Sequence, residues 1–333
     1  IGSVLARSLL SYCGSAEEVF KSKSKLLAKI PGIGPKTLDQ ILNHSVFSLA
    51  ENELKFIEKF KISPLFISSE QYPRRLRNCP DAPVMLYFKG KADLNDSKLI
   101  SIVGTRNASD YGREICRNLI ADLKEYNPLI VSGLAYGIDS AAHREALKNT
   151  IPTVGVLAHG LDRIYPAQHR NMAEKMLECG GLITEFMSGT IPDRENFPKR
   201  NRIIAGLSDL TIVVEANIKG GALITAELAN TYNRDVFAFP GRINDESSRG
   251  CNHLIKTNRA NLITGMADLE YIMGWSREAA RPLQQQLSLP VNLNEEERKI
   301  ADIIQAHGEI AVDELAILSS LQQSRLAVNI LGM

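Results

Sequence analysis

The segment 196–202 brings one aromatic ring and three cations together in a short stretch of chain. Phe197 offers a flat face on which a nucleic-acid base can stack. Lys199, Arg200 and Arg202 can neutralise the charges of neighbouring phosphates. A solvated, arginine-rich helix face would have the same composition, so this segment alone does not distinguish the two interpretations.

Glycine-rich turns follow three apolar runs in the central part of the chain. The candidate anion-binding residues of these turns are Gly104, Arg106, Ser132, Gly133, Gly137, Gly220, Gly221 and Thr225. In an open α/β sheet such turns meet at the carboxyl edge, where the N–H groups of helix N-termini bind anions. A single glycine-rich turn could equally serve tight strand–helix packing. Three of them, together with Arg106 and the segment 196–202, predict a site for several consecutive phosphates.

The sequence lacks the common motifs of cofactor-dependent and hydrolytic enzymes, including G-x-G-x-x-G with a downstream acid, G-x-x-x-x-G-K-[ST], H-E-x-x-H and G-x-S-x-G. His143 follows the Gly137 turn, and we interpret it as a structural residue at a helix start rather than as a general base. Asp139 is interpreted as a helix-capping acid, with a catalytic role left open, and His159 could reach the same edge. We therefore predict no catalytic residue, no cofactor and no enzymatic activity.

The composition bounds the kinds of surface that this chain can offer. Its 333 residues are 44% hydrophobic and 23% charged, and the net charge is only +1, so any nucleic-acid surface must be a local patch. No apolar run approaches the length of a membrane span, and the N-terminus lacks the pattern of a signal peptide. The five cysteines are Cys13, Cys79, Cys116, Cys179 and Cys251. Their scattered positions predict reduced thiols of a cytoplasmic protein, with neither a disulfide framework nor a metal site.

Hydrophobic patterning divides the chain into short helices at 1–64, alternating strands and helices at 65–275, a linker at 276–293 and a helical part at 294–333. Six apolar runs of the second part are predicted as strands: 99–103, 129–131, 154–157, 181–184, 210–214 and 236–239. Continuous apolar strands that alternate with helices are typical of a parallel sheet covered on both faces. The predicted fold class is therefore α/β, with a doubly wound, mostly parallel, Rossmann-like sheet.

The first part contains a short repeat, in which residues 33–42 echo residues 1–10 and residues 30–34 have the pattern of a helix-hairpin-helix turn. In such a turn, glycines let the backbone approach a phosphate that amides of the next helix N-terminus hold. Five lysines surround it: Lys21, Lys23, Lys25, Lys29 and Lys36. Contact with DNA is left as an equal alternative to a protein-contact or packing role. Because the copy at residue 1 starts within the motif, we expect the native chain to begin earlier.

Five motifs of the central part resemble, in order and spacing, those of the DNA-processing protein A (DprA, or Smf) family. They are the segments 103–106, 132–143, 160–166, 196–204 and 239–241. The resemblance covers most of the second part, and the flanking parts fit it. It implies an extended Rossmann domain that binds single-stranded DNA without sequence specificity. It also implies a dimer that loads RecA onto the strand during natural transformation.

The resemblance also implies a DNA pocket in this chain. Its residues would be Gly104, Arg106, Ser132, Gly133, Gly137, Phe197, Lys199, Arg200, Asn201, Arg202, Gly220, Gly221 and Thr225. Arg194 is a further candidate cation, although Asp193 and Glu195 flank it. The chain departs from the usual family pattern at 219–222 and 258–260. Backbone amides survive such changes, so the departures bear on the affinity more than on the mode of binding.

Residues 294–333 resemble the family's winged-helix-like domain, here as an incomplete copy without a wing. Helices are predicted at 295–306, at 312–318 and from about 322. This part contains seven acidic and three basic residues, a net charge of −4. Because an acidic helix-turn-helix is a poor phosphate ligand, we predict a protein-contact or regulatory role for it.

Two alternative functions would use the same sheet edge. One is a nucleotide phosphoribohydrolase of the lysine-decarboxylase-like group, whose Gly-Gly-x-Gly-Thr-x-x-Glu turn is only partly matched by residues 220–227. The other is a nucleotide-sensing module that binds one small ligand. The sensor explains neither the three cations around Phe197 nor the helix-hairpin-helix repeat, so single-stranded DNA binding is the preferred hypothesis.

Overall fold

The computed structural model describes residues 2–44, 46–275, 294–307, 310, 312–319 and 321–332. Contacts within the chain divide it into two compact units, Ile1–Arg277 and Glu278–Met333. The linker predicted at 276–293 lies outside the described residues. No helix in the described ranges is long and apolar enough to cross a membrane.

Five helices open the larger unit: α1 (Ser3–Cys13), α2 (Ala16–Lys21), α3 (Ser24–Leu27), α4 (Pro35–Leu42) and α5 (Phe47–Phe60). Gly14 ends α1 with a φ of 87°, a conformation that glycine adopts without steric cost. Ser15 then caps α2, because its hydroxyl accepts a hydrogen bond of 3.1 Å from the Glu18 amide. The buried core of these helices is Leu9, Val19, Leu27, Ile30 and Ile41. The predicted short helices, broken by glycine and proline, are confirmed.

A nine-stranded sheet forms the centre of the remainder of the larger unit. Its strands are β1 (Ser63–Phe66), β2 (Met85–Gly90), β3 (Leu99–Val103), β4 (Leu129–Gly133), β5 (Thr153–Val156), β6 (Gly181–Thr184), β7 (Leu210–Val213), β8 (Asp235–Ala238) and β9 (Asn261–Leu262). The strand order is β1-β2-β6-β5-β4-β3-β7-β8-β9. β2 pairs antiparallel with both β1 and β6 at one edge. All other pairings are parallel. The six predicted strands correspond to β3–β8, which confirms the mostly parallel sheet. β1 begins before the domain boundary predicted at 64/65.

Helices cover both faces of the sheet. They are α6 (Arg74–Arg77), α7 (Asp110–Leu123), α8 (Ile138–Lys148), α9 (Arg170–Cys179), α10 (Asn196–Leu207), α11 (Gly221–Thr231), α12 (Glu246–Lys256) and α13 (Met266–Met273). Alternate residues of a strand point to opposite faces. Accordingly, Ile100 and Ile102 of β3 share a core with residues of α7 and α8. Leu99 and Val103 share the other core with residues of α10 and α11. Burying each such side chain contributes roughly 1.5–3 kcal/mol relative to exposing it.

The strand order reverses beside β3. β4, β5 and β6 continue to one side of β3, whereas β7, β8 and β9 continue to the other side. Ligands of open α/β sheets bind in the crevice outside the carboxyl ends of the strands at such a reversal. The turns after β3, β4 and β7 begin at this crevice, so the fold brings the three predicted glycine-rich turns to one place.

The smaller unit consists, in its described residues, of α14 (Glu295–His307), α15 (Val312–Ser319) and α16 (Gln323–Gly332). A reciprocal capping box opens α14, since the Glu297 amide donates to the Asn294 side chain at 2.9 Å and the Asn294 amide donates to the Glu297 carboxylate at 2.8 Å. The buried core is Ile300, Leu315 and Leu326. The helices agree with the three predicted ones. No strand that could form a wing occurs among the residues described in this unit.

Candidate nucleic-acid interface

A groove of about 760 Å³ opens at the reversal point of the sheet, and we call it the switch-point groove. Its walls are the turns after β3, β4 and β7 together with the first turns of α10 and α11. The predicted site residues that line it are Gly104, Arg106, Phe197, Arg200, Asn201, Gly220, Gly221 and Thr225. Arg194 and Lys219 also line it, and both are exposed. The fold thus assembles most of the predicted residues from separate parts of the chain.

An aromatic wall forms part of the switch-point groove. The Phe197 ring is half-buried, and the guanidinium carbon of Arg106 lies 5.3 Å from its centroid. The centroid of the Tyr165 ring lies 6.2 Å from that of Phe197, with the two planes inclined by 50°. A cation near an aromatic face is attracted by the ring quadrupole, which holds Arg106 in place. The wall therefore offers a stacking surface and a fixed positive charge side by side.

Tyr165 is a groove residue that was not predicted as a site residue. It is half-exposed and lies in the 160–166 motif, in the turn after β5. The carboxyl end of β5 lies on the same edge of the sheet as the ends of β3 and β4. The rule that located the glycine-rich turns could therefore have located this aromatic residue as well.

Two helices begin at the switch-point groove. α10 begins at Asn196 and α11 at Gly221, and none of the described side chains caps either N-terminus. The Asn201 amide donates to the Gly221 carbonyl oxygen at 3.2 Å, and the Thr225 hydroxyl donates to the same oxygen at 3.1 Å. Asn201 and Thr225 thus fix the start of α11. Helix N-termini of this kind bind phosphate oxygens through backbone N–H groups and the helix dipole.

Glu215 positions the turn that carries Arg106. It follows β7 and is 1% exposed. Its backbone oxygen accepts a hydrogen bond of 2.7 Å from the Thr105 amide. Its carboxylate accepts from the Ser109 amide at 2.9 Å and from the Ser109 hydroxyl. The backbone and the side chain of Glu215 thus connect the turn after β3 to the turn after β7, two walls of the groove.

A buried charge pair supports the groove from below. Arg200 is 5% exposed and Asp139 is 7% exposed. Gly133 lies between them, and a Cβ atom added there would overlap both the guanidinium and the carboxylate. Arg200 donates to the Val156 carbonyl oxygen at 3.0 Å. Gly133 therefore gives room to both side chains. Arg200, which was predicted to contact phosphates, lines the groove as a buried residue of its floor.

Burial dominates the electrostatics of this pair. It raises the pKa of Asp139, and the charge of Arg200 and a hydrogen bond from the Ala135 amide act in the opposite direction. It lowers the pKa of Arg200, which the charge of Asp139 opposes. Each partner thus favours the charged form of the other, and the pair depends on both being present.

A small cleft of about 40 Å³ lies at the base of the aromatic wall. The Nε atom of Arg200 and the Nε2 atom of His159 are buried without a hydrogen-bond partner among the described residues, and both side chains line the cleft. Burial lowers the pKa of His159, and its Nδ1 atom donates to the Gly160 carbonyl oxygen at 2.9 Å. Nε2 is then an acceptor in the same cleft that the Arg200 side chain lines. The cleft has the size and polarity to hold one water molecule.

The remaining predicted residues do not line the switch-point groove. Ser132 is fully buried and donates to the Ile102 carbonyl oxygen at 2.6 Å, which ties β4 to β3. Gly137 precedes α8 with a φ of 80°, close to the Thr105 carbonyl oxygen, and lines a neighbouring pocket. Lys199 is exposed outside the groove.

Arg202 requires a correction. It donates to the Asp81 carbonyl oxygen and to the Glu185 carboxylate, and its side chain is 12% exposed. Because α10 is helical from Asn196 onward, residues 197, 200, 201 and 204 face the groove while residues 199 and 202 point elsewhere. Arg202 thus anchors α10 to the loops around residues 81 and 185, and the structure does not place it as a phosphate ligand.

His143 is a structural residue. It is fully buried, its Nδ1 atom accepts from the Thr153 hydroxyl at 2.7 Å, and its Nε2 atom donates to the Gly133 carbonyl oxygen at 2.6 Å. Burial lowers its pKa from the usual 6.5 to about 4. The ring is therefore neutral and holds the Gly133 turn, as the interpretation as a structural residue predicts.

The pKa of His143 predicts a pH-dependent stability. Between pH 4 and 6.5 the unfolded chain protonates this imidazole and the folded chain does not, so stability falls as the pH falls through this window. The contribution of His143 is about 1.4 kcal/mol per pH unit, or about 3 kcal/mol over the window. We expect the free energy of unfolding, measured with urea at several pH values, to change more steeply with pH in wild type than in His143→Gln. Equal slopes would show that His143 is not neutral in the fold.

Comparisons with known proteins show the family to which this chain belongs. The family model of DNA recombination-mediator protein A matches residues 63–273, and that of the SAM-like helix-hairpin-helix tandem matches residues 1–44. The chain belongs to the DNA recombination-mediator protein A family. The resemblance to the DprA family drawn from the five motifs is confirmed, as is the helix-hairpin-helix part.

Members of the DprA family with substantial identity include Protein Smf of Synechocystis sp., 38% identical over 262 residues, which are 77% of this chain and 65% of that protein. This chain thus spans less than two thirds of that relative. DNA processing protein DprA of Streptococcus pneumoniae is 41% identical over 213 residues, which are 64% of this chain and 75% of that protein.

Two solved DprA structures are similar to this one. That of Streptococcus pneumoniae has a TM-score of 0.70 and 33% identity, over 81% of this chain and 92% of that chain. One from Helicobacter pylori, which concerns the single-stranded DNA binding mode of that protein, has a TM-score of 0.58 and 28% identity, over 64% and 96% of the two chains. The fold of the larger unit is therefore that of the DprA family.

Proposed function

We propose that this protein binds single-stranded DNA in the switch-point groove without sequence specificity. The observation that carries the proposal is the aromatic wall, where Phe197 lies between Arg106 and Tyr165. Every base has a π-face, so stacking on this wall would be indifferent to sequence. The adjacent N-termini of α10 and α11 would hold phosphates. The solved relative from Helicobacter pylori, described for its single-stranded DNA binding mode, supports this proposal.

A single strand fits this groove better than a duplex does. A base can lie on the Phe197 ring only when it is unstacked from its neighbours, and bases of a single strand are free to unstack at low cost. The positive charge of the groove is local, because the whole chain has a net charge of only +1. Binding should therefore depend on salt.

We propose a binding role without catalysis. Two observations support this proposal: His143 is buried and hydrogen-bonded within the fold, and Asp139, which lines the groove, lies beside the buried Arg200 guanidinium. Glu227, the residue that a phosphoribohydrolase turn would use, pairs with Arg259 at 2.8 Å and does not line the groove. Family membership supports the further proposal of a cytoplasmic dimer that hands the strand to RecA in natural transformation.

Titration of a labelled oligo-dT by fluorescence anisotropy, with unlabelled duplex as competitor, tests the proposed binding. We expect saturable binding that weakens with salt, with a log–log slope of about −0.7 per phosphate contact, and that excess duplex does not displace. Displacement by an equal concentration of duplex would refute single-strand preference. Calorimetry with mononucleotides distinguishes strand binding from the alternative function as a nucleotide sensor. Tight binding of a mononucleotide would favour the sensor.

The RecA step has its own test. On single strands coated by a single-strand-binding protein, ATP hydrolysis by RecA should begin after a shorter lag when this protein is present. An unchanged lag, with strand binding intact, would remove the loading role and leave the binding proposal in place.

A further inference from the structure

A second pocket, of about 510 Å³, lies on the other side of the turn that carries Arg106. We call it the Arg113–Arg144 pocket. It is lined by Arg106, Arg113, Tyr136, Ser140, Arg144 and His169, with the adjoining backbone of the 106–108 turn and of Gly137. Arg113 comes from α7 and Arg144 from α8, two helices that pack side by side. Arg106 lines both this pocket and the switch-point groove.

The charges of this pocket suit a phosphate. Among the described residues that line it, three are arginines and none carries a carboxylate. Arg144 donates to the Ser140 carbonyl oxygen and hydroxyl, both at 3.3 Å. Arg113 donates to Asp110 at 2.8 Å, a pair that is open to solvent. Each guanidinium has five N–H donors, so both side chains keep donors for a ligand.

The pocket also contains an aromatic surface that continues toward the first groove. Tyr136 is 44% exposed, and it lines both this pocket and the small cleft at the base of the aromatic wall. Its hydroxyl donates to the Gln168 side chain at 2.7 Å, and its ring meets the His169 ring edge-on at a centroid distance of 5.0 Å. The ring is thus held in place between the two sites.

We propose that the Arg113–Arg144 pocket binds a phosphodiester of the same single strand that stacks on Phe197. This inference rests on the proposed function. The strand would pass over the Arg106 turn, so that Arg106 contacts phosphates on both sides of it. The uncapped N-terminus of α8, which begins at Ile138 after Gly137, adds the favourable end of a helix dipole. The pocket would extend the binding site beyond the nucleotides held in the switch-point groove.

The test compares a short strand, which is long enough to occupy only the switch-point groove, with a longer strand that can also reach the Arg113–Arg144 pocket. Oligo-dT of about four and about twelve nucleotides is titrated by anisotropy against wild type and Arg113→Ala/Arg144→Ala. We expect the double variant to bind the longer strand about tenfold more weakly, with a salt slope smaller by about 1.4 for two lost contacts. Its affinity for the short strand should match that of wild type.

A matched control removes two other cations from the same two helices. Arg117 and Lys148 lie one turn further along α7 and α8, are exposed, and do not line the pocket. Arg117→Ala/Lys148→Ala should bind both strands as wild type does. An equal loss in the control and the test variant, or no loss in the test variant, would overturn the inference. Thermal unfolding of both variants verifies that they are folded.

Two further outcomes are separable from these. Saturable binding of thymidine monophosphate or inorganic phosphate that requires Arg113 and Arg144 would assign the pocket to a free ligand. It would overturn the inference that one strand occupies both the groove and the pocket. Failure of wild type to bind either strand would refute the proposed function, and this inference with it. Normal binding of both strands by the test variant would refute this inference alone.

Discussion

Replacing Phe197 with alanine is expected to weaken the binding of oligo-dT by about thirtyfold, or about 2 kcal/mol. The substitution removes the stacking face and also the ring that holds the Arg106 guanidinium 5.3 Å from its centroid. The loss should therefore exceed that of a phosphate contact alone. Anisotropy titrations at fixed salt measure it directly.

Two variants define what this loss means. Phe197→Tyr keeps the ring face and should retain most of the affinity. Arg202→Ala removes a cation of the same helix whose side chain is bound to Asp81 and Glu185, so it should lower stability but leave the affinity unchanged. An Arg202→Ala loss equal to that of Phe197→Ala would mean that the strand follows the outer face of α10.

Replacing Asp139 with alanine is expected to lower the free energy of unfolding by about 3–5 kcal/mol. The variant would leave the Arg200 guanidinium, which is 5% exposed, without its compensating charge. Since Arg200 lies in the floor of the switch-point groove, DNA affinity should fall together with stability. Urea unfolding followed by circular dichroism measures the stability term.

The matched comparison is an exposed charge pair of the same larger unit. Glu227 and Arg259 lie 2.8 Å apart with more than half of each side chain exposed, so Glu227→Ala should cost less than about 1 kcal/mol. Asp139→Leu combined with Arg200→Met should recover much of the stability lost in Asp139→Ala, because no charge is then left buried. A small cost for Asp139→Ala would show that solvent reaches Arg200.

Most of the sheet could be predicted because each central strand is a continuous apolar run buried on both faces. Strands β1 and β9 were not predicted, because they are short edge strands with mostly exposed residues. β2 contains a buried run at its centre and could have been found by the same criterion. The place of the site was predictable for a related reason: the turns that follow parallel strands share one edge.

The roles of the residues within the site were less predictable. The segment 196–202 is helical from its first residue, so its cations point in different directions, and only Arg200 lies in the groove. Arg200 lies beside Asp139 and feels its charge, and Arg202 forms an ion pair with Glu185; both partners come from distant parts of the sequence. Side-chain partners of this kind depend on tertiary packing, which composition and spacing do not contain.

Photocrosslinking is the measurement that tests the central claim most directly. The complex of the protein with an oligo-dT that carries 4-thiothymidine is irradiated, and the crosslinked residues are identified by mass spectrometry. Binding in the switch-point groove predicts crosslinks at Phe197 or Tyr165, lost when unlabelled strand is in excess. Crosslinks confined to the lysine-rich hairpin at residues 21–36, with none in the groove, would contradict the claim and move the DNA surface to the helix-hairpin-helix part.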